Sequence, residues 1–193
     1  MVSAKFNSNS RGFSLVEVVI SMGLLTAVSL GVAQLFAVST KANLTARGQT
    51  STTAMAAQKL EQLRSLTWGF DLKGQGLPVT DSTTNLAVTP PAPNGSGLNP
   101  SPTTSLEENT PGFVDFLNQN GVWVGTGTTP LAGAVYIRRW SIQPLPTNPN
   151  NTIVIQVLVT HVASEARRVE SELTRRRMPG DSLLTTVKTR KAS

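Results

Sequence analysis

Arg11-Gly12-Phe13-Ser14-Leu15-Val16-Glu17 opens the run FSLVEVVISMGLLTAVSLGVAQLFAVST, which occupies residues 13–40. Glu17 is the only charged residue in that run. A bilayer core takes about 20 helical residues at about 1.5 Å rise each, and residues 18–38 reach that length. Ser21, Thr26 and Ser29 interrupt it mildly, because a helical hydroxyl can bond back to a carbonyl of the preceding turn. Lys5 and Arg11 lie in front of the run and the bulk of the chain follows it. The positive-inside tendency therefore leaves the N-terminal side in the cytoplasm and exports the rest. An ordinary secretory signal cut near Ala37-Val38-Ser39 is the rival reading, but the run is long for one and Glu17 is then unexplained.

Beyond the run the helical pattern continues through residues 41–68. It contains no Pro and only Gly48, and it closes on the good helix formers AMAAQKLEQLRSL. Ala56, Leu60, Leu63 and Leu66 recur at helical steps and define an apolar face. Lys59, Glu61, Gln62 and Arg64 are expected largely on the other, wet side. Composition then shifts. Residues 69–130 are rich in Gly, Pro, Ser, Thr and Asn, including PPAPNGSGLNPSP at 90–102, and predict a long surface loop. Short pieces at 111–117 and 122–124 are candidates for turns or a small strand.

Residues 131–175 predict an antiparallel meander with strands at 133–145, 152–162 and 166–174. In the second strand Ile153, Ile155, Val157 and Val159 form a fully apolar face. A three-strand meander needs a cover, and the amphipathic half of the helix supplies one. Residues 176–193 are basic and mostly polar, and are expected as a tail or an edge segment. The fold class is thus α+β: a long N-terminal helix packed on a C-terminal antiparallel sheet.

The 193 residues carry a net charge of +6 and no cysteine. An exported domain of this chain must therefore be held together by packing alone, without disulfides or a thiolate metal site. Two of the net positive charges, Lys5 and Arg11, belong to residues 1–12.

The basic segment ending in Gly12, the aromatic Phe13, the spacing to Glu17 and the following span together resemble the processing signal of type IV pilins and pseudopilins. The match is specific because all of these features must coincide. It implies that residues 1–12 are a leader, that a membrane prepilin peptidase cuts between Gly12 and Phe13, and that the new N-terminus of Phe13 is methylated. It further implies that Glu17 neutralises the N-terminal amine of a neighbouring subunit during assembly. The partners implied are other pilin subunits, the prepilin peptidase and an inner-membrane assembly platform. The location implied is the bacterial inner membrane, then a periplasmic pseudopilus or a surface pilus. Residues 57–64, AQKLEQLR, are similar to the helix end of V-type minor pilins and I-type minor pseudopilins of type II secretion. The chain departs from many major pilins in lacking a helix-kinking Pro in the membrane segment and a C-terminal disulfide. Both departures point to a minor subunit.

Physical reasoning supports the same residues. Gly12 offers a protease an unhindered, extended backbone. A charged residue in an apolar helix costs on the order of 2.5–3.5 kcal/mol at mid-bilayer and less near the interface, where Glu17 lies. Phe13 and Glu17 are four residues apart, on one helix face, and a carboxylate in the first turn is favoured by the helix dipole. The bland reading of Glu17 is an interfacial residue snorkelling to headgroups.

Other signals come to little. His161 is the lone histidine, and Glu107, Glu108, Asp115 and Asp181 lack metal-ligand spacing, so no catalytic residue, cofactor or metal is assigned. Gly125 to Pro130 lacks the Lys and helix of a phosphate loop. Arg138-Arg139-Trp140 reads as a strand with Trp140 inside. The cluster Arg175-Arg176-Arg177 with Lys188, Arg190 and Lys191 could attract DNA, as in a competence-type pseudopilin, but a solvated tail is the preferred reading. The function expected is structural, with no enzymatic role.

Mass spectrometry of the mature chain is expected to find an N-methylated Phe13 at its start. Intact Met1, or a new terminus near Lys41, in cells with an active prepilin peptidase would refute this. Gly12→Leu should leave the leader uncut.

Overall fold

A computed structural model describes residues 13–71, 77–81, 96–165 and 177–190. Among the described residues a long helix, α1 (Leu15–Ser65), is followed by the strands β1 (Trp68–Phe70), β2 (Pro78–Thr80), β3 (Val114–Leu117), β4 (Trp123–Gly125), β5 (Tyr136–Pro144), β6 (Thr152–His161) and β7 (Ser182–Thr189). The chain divides into a unit ending at Leu44 and a unit that begins at Thr45. In the first, every described side chain is exposed, and the helix is long and apolar enough to cross a membrane.

The second unit holds the core. Strands β4-β3-β5-β6-β7 form a five-stranded sheet, antiparallel throughout, and β1 and β2 form a separate two-stranded ribbon. The register Trp140↔Val157 and Ile142↔Ile155 puts the apolar row of β6 beside Trp140 and Ile142. That row packs against Met55, Ala56, Leu60, Leu63 and Leu66 of α1 and the residue after it, which is the covered sheet expected from the pattern. Beside β5, Ser101 continues its pairing past the end of β3. Its amide donates to the Ile142 carbonyl at 2.9 Å, and its hydroxyl accepts from the Ile142 amide at 3.0 Å. Arg139, also on β5, pairs with Glu165 at 2.9 Å and donates to Asn109 at 2.9 Å.

Several elements differ from the sequence expectations. The segment 69–130, expected as loop apart from the candidate pieces at 111–117 and 122–124, contributes β2 and most of β1; β3 and β4 form on those two pieces, and β3 lies inside the main sheet between β4 and β5. The short β3–β4 turn is stabilised by the Asn118 side chain, whose oxygen accepts from the amides of Asn120 and Val122 at 2.9 and 3.0 Å. Gly121 in that turn has φ +74 and faces Met55 so closely that a β-carbon would meet its methyl at 3.3 Å. The strand expected at 166–174 lies outside the described residues. Beside β6 stands β7, within the segment expected as a basic tail. Its sequence, SLLTTVKT, is dominated by β-branched and apolar residues once the flanking cations are set aside. Residues 162–165, directly after β6, are helical.

Lys59 is the largest departure. Expected on the wet side, it is 1% exposed, with its ammonium 3.8 Å above the Trp140 ring and 3.3 Å from Asp115. Arg138 grips the same carboxylate with two bonds of 2.8 Å, from Nε to Oδ1 and from an Nη to Oδ2. Arg138 also reaches the Met55 carbonyl at 3.2 Å. Burial alone pushes the Asp115 carboxyl up. The charges of Arg138 and Lys59 and their hydrogen bonds outweigh this and hold it below its ordinary 3.8. Burial pulls the Lys59 ammonium below its ordinary value, Asp115 opposes that, and Arg138 adds to it.

A chain beginning at Lys41 should fold with a cooperative thermal transition that reductant does not alter. In it, Asp115→Ala strands two buried cations and should cost about 3–5 kcal/mol in urea denaturation. Lys59→Met leaves the Asp115–Arg138 pair intact and should cost clearly less. Because the folded Asp115 value is depressed, its contribution is in place above the ordinary carboxylate range. It is lost as pH falls through the folded value, so Asp115→Ala should converge with the parent on acidification.

Candidate functional site

The local sequence dictates where the N-terminal motif becomes helical. Ser14 precedes the first helical residue, and its carbonyl accepts the amides of Glu17 at 3.0 Å and Val18 at 3.2 Å. Ser14-Leu15-Val16-Glu17 has the spacing of a capping box in front of an apolar run, a signal that the periodicity argument passes over. Phe13 sits just before the helix and is 82% exposed. Glu17 is exposed in the first turn, the only acidic residue there. The unbonded amides at a helix start carry partial positive charge, so a carboxylate at Glu17 is electrostatically matched to its own helix. Gly12 lies outside the described residues, so the bond between Gly12 and Phe13 has no described geometry.

Past Glu17 the helix meets the demands of hydrocarbon. Its backbone groups are bonded internally. Ser21 donates its hydroxyl to the Glu17 carbonyl at 2.7 Å, and Thr26 donates to Met22 at 2.8 Å. Those two polar side chains are thereby satisfied without a partner chain. The stretch from Leu15 to Leu44 rises about 45 Å, more than the roughly 30 Å hydrocarbon core. The apolar window has a mean hydropathy of 2.1, and none of it is buried. Gly23 and Gly31 have open space where a side chain would be. The exposed apolar surface requires lipid or other helices around it, and small residues allow helices to approach closely.

The remaining polar residues singled out by sequence have structural surroundings. His161 stands exposed at the end of β6, its ring edge-on to Tyr136 at 5.3 Å and its Nδ1 accepting the Ala163 amide at 3.2 Å. Asp115 belongs to the core network already described, and Asp181 accepts the Met178 amide at 2.6 Å. Among the described residues no group of acidic or histidine side chains could hold a metal ion. Two cations of the basic segment bind the protein itself. Lys188 donates to the carbonyls of Arg64 and Leu66, at the C-terminal end of α1. Arg190 stacks on Trp68 at 3.6 Å and donates to Gly69 at 3.0 Å and Asn150 at 2.7 Å. Arg175, Arg176 and Lys191 lie outside the described residues.

Residues 7–33 match the family model of the prokaryotic N-terminal methylation motif. That stretch contains Gly12, Phe13 and Glu17 and runs well into the apolar part of α1. No curated protein and no solved structure matches the chain.

Proposed function

From a type IV pilin-like chain, marked by the N-terminal methylation motif and built as a long helix on an antiparallel sheet, we propose a minor pilin or pseudopilin cut after Gly12 and methylated on Phe13. The observation that carries this reading is the coincidence of the motif with the apolar first part of α1, exposed as far as Leu44, whose sole charge as far as Thr40 is Glu17. The apolar half of the helix anchors the subunit in the inner membrane before assembly. It then joins the helices of other subunits in the filament.

Processing creates an amine on Phe13, next to a helix start that is itself electropositive. In an apolar filament core such a cation is expensive, and a carboxylate within reach removes much of that penalty. Glu17 of the neighbouring subunit supplies it in this reading. The same pairing selects the axial position at which a new subunit seats, since a mismatch leaves two charges unpaired. The missing Pro and the missing cysteines favour a minor subunit.

Glu17→Ala should still be cut and remain in the membrane, yet fall by about tenfold or more in sheared filaments relative to the membrane pool, equivalent to losing about 1.4 kcal/mol of pairing. Glu17→Asp should fall between, keeping the charge and losing reach. Incorporation of Glu17→Ala at the level of the parent chain would leave Glu17 an interfacial residue and end the assembly role.

A further inference from the structure

The two edges of the five-stranded sheet are unequal: β4 has 3 residues and β7 has 8. The direction of the β7 backbone groups follows from one bond. The Arg190 amide donates to the Asn151 carbonyl at 2.7 Å, directly opposite in the register that continues from Thr189↔Thr152. In an antiparallel ladder such bonded pairs alternate with unbonded ones. Positions 184, 186 and 188 therefore turn their amides to β6, while Leu183, Thr185 and Val187 turn theirs to the open edge. Among the described residues no group bonds to those outward amides and carbonyls.

Proteins ordinarily guard such an edge with Pro, a bulge or a protruding charge. This edge has none of these devices. The register of β7 runs without a shift and its sequence has neither Pro nor Gly. Its only charge, Lys188, is turned toward α1 and occupied by the carbonyls of Arg64 and Leu66. The side chains of Leu183, Thr185 and Val187 stand on the opposite face, beside Leu158, Gln156 and Val154. All are neutral, and Val187 is 56% exposed.

We propose that the outer edge of β7 is a strand-addition site that takes a neutral, extended strand from a neighbouring filament subunit. The outward amides and carbonyls supply the bonds, and backbone pairing of this kind is a general mode of recognition. Neutrality is set by the edge row, which offers nothing to pair with a charge. Apolar residues of the incoming strand opposite Leu183 and Val187 would extend the half-covered patch that these residues form with Leu158 and Val154. The identity of the donor as a filament subunit rests on the proposed function; the edge itself does not.

The test has two arms. In the first, the full chain in detergent micelles is mixed with the capped peptide Ser-Leu-Leu-Thr-Thr-Val-Thr-Thr, and amide exchange is followed residue by residue. Exchange at Leu183, Thr185 and Val187 should slow by about tenfold or more, while 184 and 186 are already protected by β6. The same peptide with a central Pro should do nothing. Unchanged exchange at saturating peptide overturns the site. Protection already present before any peptide is added, together with a dimeric chain in sedimentation, makes a second copy the occupant and overturns the assigned donor.

The second arm compares Thr185→Pro with Thr185→Ala in sheared filaments. Pro removes an outward amide and fixes its own φ, and retained protection at 184 and 186 verifies that the ladder survives. Thr185→Pro should drop about tenfold in filaments while Thr185→Ala enters as the parent does. Entry of a folded Thr185→Pro at parent level overturns the proposal. Absence of the parent chain itself from filaments would instead sink the filament reading, and the exchange arm would still decide the edge.

Discussion

The folded unit depends on a buried carboxylate. Asp115 is held between Lys59 of α1 and Arg138 of β5, so three elements far apart in sequence must meet at one point. Apolar contacts are non-directional and would tolerate the helix sliding along the sheet. The ion pairs do not: a shift of one helical turn, about 5.4 Å, would carry Lys59 out of reach and leave charges stranded in the core. Trp140 sharpens the requirement, since Lys59 also lies over its ring. The indole nitrogen of Trp140 is itself buried and has no hydrogen-bond partner among the described residues.

Around this point the last strand ties both ends of the packed helix. Near the start, the Thr52 and Thr53 hydroxyls lie 3.0 and 2.7 Å from that of Ser182. Near the end, Lys188 satisfies carbonyls that the helix leaves open, as a cation near a helix C-terminus does. Arg190 then holds the β1–β2 ribbon through Gly69, Val79 and the Trp68 ring. These contacts are why β7, rather than a loose tail, closes the sheet.

Much of this was legible in the sequence, and the failures share a cause. The helix and the apolar row of β6 were visible because each repeats one local pattern over many residues. Gly12, Phe13 and Glu17 stood out because a charge inside an apolar run demands an account. Lys59 was misplaced because its charge was allowed to override its spacing. It lies three residues after Ala56 and four before Leu63, squarely on the buried face. What hid the answer was its partner, 56 residues away, which no local window contains. Around β3 the Gly- and Pro-rich composition left 111–117 open between turns and a small strand, and its place inside the sheet depends on partners distant in sequence. In β7 the neighbouring cations obscured a run whose β-branched residues spoke for a strand.

Closure of the unit by β7 also sets how the packed unit can open. β7 comes after every other described element, yet it supplies the contacts at both ends of the packed helix and the outer partner of β6. Until it is in place, the core lacks one wall, and the carbonyls at the end of α1 lack their cation. Loss of β7 from the sheet would release the packed helix at both ends at once, so the unit opens and closes as one cooperative body.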